Sequence, residues 1–266
     1  MSLEYLPNIG GADQERLSIL AEVYDEGSQN FLSKNLPKNT KRLLDIGCGH
    51  GQMAFWLSKN YPKCHILGID SSQEQVDICN ELSKQYNTNN VAFKLHNIAD
   101  NELEEDKFDV VYIRFLLMHV RNWDACLNNI LKSCKQGALI LIEEPGFPYE
   151  CWPKDNEYFQ RANDLVKQMA DIASLNYDCF PKLWQKVQEL NVNIKNVQFN
   201  MPALVTERQK SFPFISFEQI REPLISAGVT NDQEFTTLIS KIRELVKDPN
   251  YIMGSWRMMQ LAIQKK

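Results

Sequence analysis

The run Leu43-Leu44-Asp45-Ile46-Gly47-Cys48-Gly49-His50-Gly51 constrains this chain more than any other stretch. A short apolar segment ends in an acid, glycines then alternate with other residues, and Met53-Ala54-Phe55-Trp56-Leu57 opens a helical pattern. That order reads as strand, tight turn, helix. Glycine supplies positive φ and a bare backbone against which a ligand can lie, and the amides at a helix start can donate to it. In open α/β sheets, such turns at the carboxyl ends of parallel strands are where nucleotides bind. The next candidate strand, Cys64 to Asp70, ends in a second acid 19 positions after Gly51. A carboxylate there can accept hydrogen bonds from both hydroxyls of a ribose.

The spacing separates two nucleotide readings. A dinucleotide fingerprint is G-x-G-x-x-G/A, with a helix N-terminus facing a pyrophosphate. Here the pattern is G-x-G-x-G followed by Gln52 and Met53, with Asp45 two residues before the first glycine. An acid at that point suits a ligand that carries an ammonium group and no pyrophosphate. Between them, the stretches LLDIGCGHG and LGIDSS resemble the first two motifs of the class I S-adenosylmethionine-dependent methyltransferases, the small-molecule type similar to quinone-biosynthesis enzymes. The resemblance covers residues 40 to 145 well and the rest loosely.

The resemblance implies a doubly wound, mostly parallel α/β sheet of seven strands. Its last strand would run antiparallel between its two neighbours, with added N-terminal helices and a helical cap. S-adenosylmethionine would be the cofactor, and S-adenosylhomocysteine the product. Asp45, Gly47, Cys48 and Gly49 would line the donor site, with Asp70 and Ser71 at the ribose. Asn97 and Ile98, in the corner after the third strand, would sit beside the adenine edge and face. Asn97 has a second reading, as a turn residue bonding its own backbone.

Composition bounds the rest. The 266 residues are 44% hydrophobic and 24% charged, which permits a sizeable core. A net charge of −5 disfavours nucleic acid as the main partner. The seven cysteines are scattered with no C-x-x-C pair, which suits reduced thiols in a cytoplasm. There is neither a secretory leader nor an 18-residue apolar run, so no membrane span is expected. No metal-ligand spacing such as H-E-x-x-H occurs.

Residues 1 to 12 read as an extended lead-in, followed by a helix capped by Asp13 and a second helix from Ser28 to Leu36. The first helix is either a docking helix or, as its similarity to the lead-in of some small-molecule methyltransferases implies, a cover over the cofactor with Arg16 meeting the methionine carboxylate. Ser72 and Gln75 read as a capping box. The apolar run Phe108 to Ile113 is a strand buried on both faces. The resemblance implies that this strand delivers Arg114 to the crevice, near the methyl group or the cofactor tail. His119 follows on the binding side, either as a base for the acceptor or as a structural histidine. The strand Ala138 to Ile142 delivers Glu143 and Glu144, which point to opposite faces if the strand persists. At most one of them should therefore face the methyl donor.

Three regions result: a helical lead-in over 1–39, a core over 40–146 and 191–266, and a helical cap over 147–190. Part of 205–250 is a candidate to join the cap. The cap is aromatic-rich and would wall the acceptor site. Strand six is expected at Val197 to Met201 and strand seven at Arg257 to Ile263. The leading functional expectation is in-line methyl transfer to a small-molecule acceptor. Two alternatives are a non-catalytic cofactor-binding module on the same fold and a nicotinamide-dependent oxidoreductase. The third fingerprint glycine that the last would require is missing.

Overall fold

Alternating apolar runs and helical patterns form successive strand–helix units in the computed structural model. It describes residues 11–100, 102–147, 150–152 and 156–266, with side chains from residue 15 and outside 148–155. Helix α1 (Gly11–Asn35) leads into β1 (Arg42–Ile46), α2 (Gln52–Asn60), β2 (His65–Asp70), α3 (Gln73–Gln85) and β3 (Val91–Leu95). Then come β4 (Phe108–Arg114), a 3-10 turn (Leu117–His119), α4 (Trp123–Ser133) and β5 (Cys134–Gly146). After β6 (Glu150–Trp152) lie α5 (Glu157–Ala173), α6 (Cys179–Glu189), β7 (Val192–Asn200) and β8 (Ala203–Leu204). The chain ends with α7 (Glu207–Gln219), α8 (Arg221–Ser226), α9 (Asp232–Lys247), β9 (Ile252–Gly254) and β10 (Arg257–Lys265).

Seven strands pair in the order β3-β2-β1-β4-β5-β10-β7, with β10 antiparallel between β5 and β7. This is the Rossmann-like sheet with an antiparallel last strand that the sequence implies. Strand order reverses between β1 and β4, and the crevice outside their carboxyl ends is the switch point of the sheet. Both faces are covered. Leu43, Val110, Tyr112 and Leu141 pack with Phe31, Leu32 and Leu57 on one side. Leu44, Val111, Ile113, Ile140 and Ile142 pack with α4 and the later helices on the other. Near-continuous burial explains why these strands read as unbroken apolar runs.

Three expectations change. The two helices expected in the lead-in are one continuous helix, α1, which starts at Gly11, so Asp13 lies inside it rather than capping it. Gly27 and Ser28 suggest a break locally, but a Cβ at Gly27 would fall 2.1 Å from Asn200 Nδ2. The glycine lets the helix lie close against β7. The extended segment expected over residues 1–10 lies outside the described residues. Second, β7 begins at Val192 rather than Val197 and β5 spans 13 residues, because β10 pairs with both along most of their length. Third, the helical material of 147–190 divides. Helix α6 packs on β5 of the main sheet, while α5 contacts α8 and α9. A Cβ at Gly146 would strike the Phe180 ring, so the glycine admits that ring onto the sheet. A second sheet, β6-β9-β8, gathers strands from before α5, after β7 and after α9.

Candidate active site

The glycine turn is built as its sequence suggests, yet its amides are used differently. Gly47, Gly49 and Gly51 have φ of 71°, 52° and 75°, a region costly for residues with a Cβ. The amides of Gly47 and Cys48 both donate to Ile69 O, at 2.8 and 3.1 Å. Gly49 N donates to Asp70 Oδ2 at 2.9 Å, and Gly51 N to Cys48 O. Three of these amides fasten the turn to β2 and the fourth closes it on itself, so its contribution to a ligand is close approach rather than donation. Open space surrounds the position a Cβ would take at Gly49.

Two carboxylates flank this turn. Asp70 accepts from Gly49 N and Ser72 N, which hold its oxygens at the mouth of the turn. Burial raises its pKa, and these amides pull it back. Asp45 is only 3% exposed, and its Oδ2 has no hydrogen-bond partner among the described residues. Desolvation pushes its pKa up to about 7, opposed by Arg114 and reinforced by Asp70. A buried carboxylate without a partner is costly unless a cation joins it. Ser71 is exposed beside Asp70, and Cys48 is half-buried in the turn. Asn97 accepts from Ala99 N at 3.0 Å and donates to Asp100, the local turn pattern, while Ile98 is buried in the main core.

Behind the turn runs a buried polar seam that fixes α1 to the sheet. Arg114 Nη1 pairs with Asp25 at 2.8 Å and donates to Ser28 at 3.1 Å. Ser28 donates to Glu143 Oε2, as does Gln260 Nε2, and Tyr112 donates to Glu143 Oε1 at 2.7 Å. Arg114 was expected to emerge into the crevice. Its guanidinium instead clamps α1, and these acidic neighbours hold its pKa raised.

The β4–β5 end of the crevice is closed by rings. Phe115 follows β4 with a positive φ of 53°, the kind of backbone strain that collects at functional sites. Tyr24 packs edge-on against it at 5.1 Å between centroids, and Trp256 lies 5.9 Å away. Tyr177 and Phe147 complete the wall around Trp256. The 3-10 turn that follows is held by Glu144, which accepts from the amides of Leu116, Leu117 and Met118. Burial nevertheless pushes Glu144 up to about 7.

Glu143 and Glu144 do point to opposite faces, but both are fully buried and every oxygen is engaged by the chain. Neither presents a free oxygen to the crevice, which corrects the expectation that one of them faces the methyl donor. His119 sits at the end of the turn, 5.6 Å from the Tyr177 ring. Desolvation, with the charge of Arg16 nearby, pushes it down to about 3. That lies below the ~6.5 of an unperturbed imidazole and leaves it neutral at ordinary pH and a weak base. Arg16 itself is 7% exposed on α1. Tyr24, Phe115, Trp256, Ser28 and Gln260 escaped sequence reasoning. Only the aromatic character of three of them was a signal, and it pointed nowhere in particular.

The described residues contain no group of three or more His, Cys, Asp or Glu able to hold a metal ion, and no helix long and apolar enough to cross a membrane. The donor set at the turn fits S-adenosylmethionine: an orphaned buried carboxylate for a cationic group, a second acid for a diol, and glycines for close contact.

Comparison with known proteins agrees with this geometry. A family profile described as a methyltransferase domain matches residues 37–209. Phosphoethanolamine N-methyltransferase 1 of wheat (Triticum aestivum) is 32% identical over 129 residues, 47% of this chain and 26% of that protein. The chain spans between 26% and 57% of the length of the first curated relatives it matches. Among solved structures, the YcgJ protein of Bacillus subtilis superposes with a TM-score of 0.63 at 14% identity, covering 91% of this chain and 99% of that one. Phosphoethanolamine N-methyltransferase 2 of Haemonchus contortus, in complex with phosphomonomethylethanolamine and S-adenosylhomocysteine, gives 0.56 at 18% identity. There the coverage is 90% of this chain and 52% of the other.

Proposed function

Because the chain belongs to the methyltransferase-domain family, we propose that its glycine turn holds S-adenosylmethionine and that it methylates a small-molecule acceptor. One observation carries the reading: the buried Asp45 oxygen that no described residue satisfies, set beside a turn whose backbone is open to a ligand. The bound cofactor supplies a methyl group on a sulfonium, whose departure leaves a neutral thioether. Asp45 binds the cationic end, and Asp70 the ribose. Phe115 and Trp256 exclude water and align the acceptor. Alignment of this kind can supply about 7–11 kcal/mol, so transfer in line needs no acid or base from Glu143, Glu144 or His119. Glu143 positions α1 and Glu144 the 3-10 turn, while His119 packs on Tyr177.

Calorimetry with S-adenosylhomocysteine should give one site per chain, weakened by ~1.5–3 kcal/mol in Asp70→Ala, the scale of a lost bond to a charged group. Label from methyl-labelled S-adenosylmethionine should then appear in a small acceptor drawn from a panel of amines, hydroxyls and acidic carbons. A folded Asp70→Ala with unchanged affinity defeats the ribose assignment. A second reading, a non-catalytic cofactor binder, is favoured by the close mutual packing of the acceptor-end rings. Tight cofactor binding with no label transfer to any acceptor would select it.

A further inference from the structure

The glycine turn carries a feature that methyl transfer does not use: a second cysteine packed beneath it. Cys48 lies between Gly47 and Gly49, and Cys79 reaches up from α3 to donate to Gly49 O at 3.1 Å. The two thiols converge on one carbonyl, since Cys48 Sγ also lies 3.9 Å from Gly49 O. Glycines crowd around both sulfurs. A Cβ at Gly68 would come within 3.1 Å of Cys48 Sγ, and one at Gly51 equally close to Cys79 Sγ. Cys48 is half-buried, whereas Cys79 is fully buried.

We propose that Cys48 and Cys79 form a redox modification site, at which a peroxide closes a disulfide that pulls the glycine turn onto α3 and lowers cofactor affinity. Peroxide first oxidises the less buried Cys48 thiol to a sulfenic acid, breaking the O–O bond and releasing one water. The Cys79 thiol then attacks that sulfur, the S–O bond breaks, an S–S bond forms, and a second water leaves with the thiol proton. Two electrons pass from the two sulfurs to one peroxide. Joining the sulfurs brings them to about 2.05 Å. Cys79 is anchored in a helix, whereas Cys48 is flanked by glycines with positive φ, so the turn is the side that moves. Burial and the Asp45 and Asp70 carboxylates keep the Cys48 thiol protonated, so closure is slow.

The loss of affinity rests on the turn being the cofactor site, whereas the cross-link itself does not. The reduced protein is exposed to hydrogen peroxide for hours, quenched with catalase, and divided between non-reducing peptide mapping and calorimetry with S-adenosylhomocysteine. The expected result is a Cys48–Cys79 cross-linked peptide and affinity at least about tenfold weaker, restored by dithiothreitol. Cys79→Ser, which keeps a donor for Gly49 O, should yield no cross-link and hold its own affinity within about twofold after peroxide. Three results overturn the proposal: no cross-linked peptide, a cross-link with unchanged affinity, or an equal peroxide-induced loss in Cys79→Ser. A reduced protein that binds no S-adenosylhomocysteine would sink the cofactor assignment, and the peptide map would still report on the thiol pair.

Discussion

The two ends of the crevice are made differently. At the β1–β2 end the backbone is bare, one acid is satisfied by amides, and the other, Asp45, keeps a buried oxygen without a partner among the described residues. At the β4–β5 end both acids are saturated, Glu143 by side chains and Glu144 by three amides, and half-buried rings of Phe115 and Trp256 line the wall. Glu143 and Glu144, buried with every oxygen bonded by the chain, belong to the scaffold, whereas the unmet Asp45 oxygen suits a cation and Asp70 keeps its place at the mouth of the turn. Under the proposed function, recognition of charge falls to the first end, and shape with water exclusion to the second.

Gly47 joins the two ends and should give the largest effect. A Cβ there would sit 3.1 Å from Leu116 Cδ1, on a backbone with φ of 71°. Gly47→Val should abolish measurable S-adenosylhomocysteine binding, a loss of roughly 3 kcal/mol or more from strain and blocked approach. Calorimetry checks it, and near-normal affinity would remove the turn from the cofactor site. Trp256→Ala should separate the ends. Turnover falls by about 10- to 100-fold, because a small misplacement of reactants is costly, while donor affinity stays within about twofold. A matched fall in both would show the ring wall holding the cofactor itself.

Glu144→Gln should act through the fold. An amide cannot accept as a carboxylate does from three N–H groups, so thermal or denaturant unfolding should show a loss of ~1–3 kcal/mol. Unaltered stability would mean that the 3-10 turn holds itself. His119→Gln is expected to do least. With its pKa near 3, the imidazole is neutral across the working range, so the rate profile between about pH 6 and 8 should match the parent. An inflection near 6.5 that disappears in the variant would restore His119 as a base.

The first end was legible because it is local. Asp45, the glycines and Asp70 fall within one strand–turn–helix–strand unit, and a single stretch carries their spacing. Alternation along β5 was also enough to send Glu143 and Glu144 to opposite faces. Their partners were not readable, since Ser28 and Gln260 lie 115 and 117 positions from Glu143. Tyr24 donates to Trp256 O across 232 positions, so nothing local announces that they share a wall. Gly27 misled for the same reason. Its helix-breaking signal is overruled by Asn200, which occupies the space a side chain would need. His119 looked titratable because its neighbours in sequence say little about its desolvation.

Asp45 tests the central claim most directly. Its pKa in the ligand-free fold is raised to about 7, above the ordinary carboxylate value, so ionisation opposes folding and that cost is fully present only above about pH 7. Asp45→Asn should therefore stabilise the ligand-free protein at pH 8, by ~1–4 kcal/mol. A cationic ligand reverses the preference by favouring the ionised form. The measurement is calorimetry with S-adenosylhomocysteine from about pH 5.5 to 8.5, in buffers of different ionisation enthalpy. Affinity should fall as pH drops through about 7, binding should release a proton in that range, and Asp45→Asn should lose both effects. Affinity independent of pH in the parent, with no proton exchanged, would contradict the account.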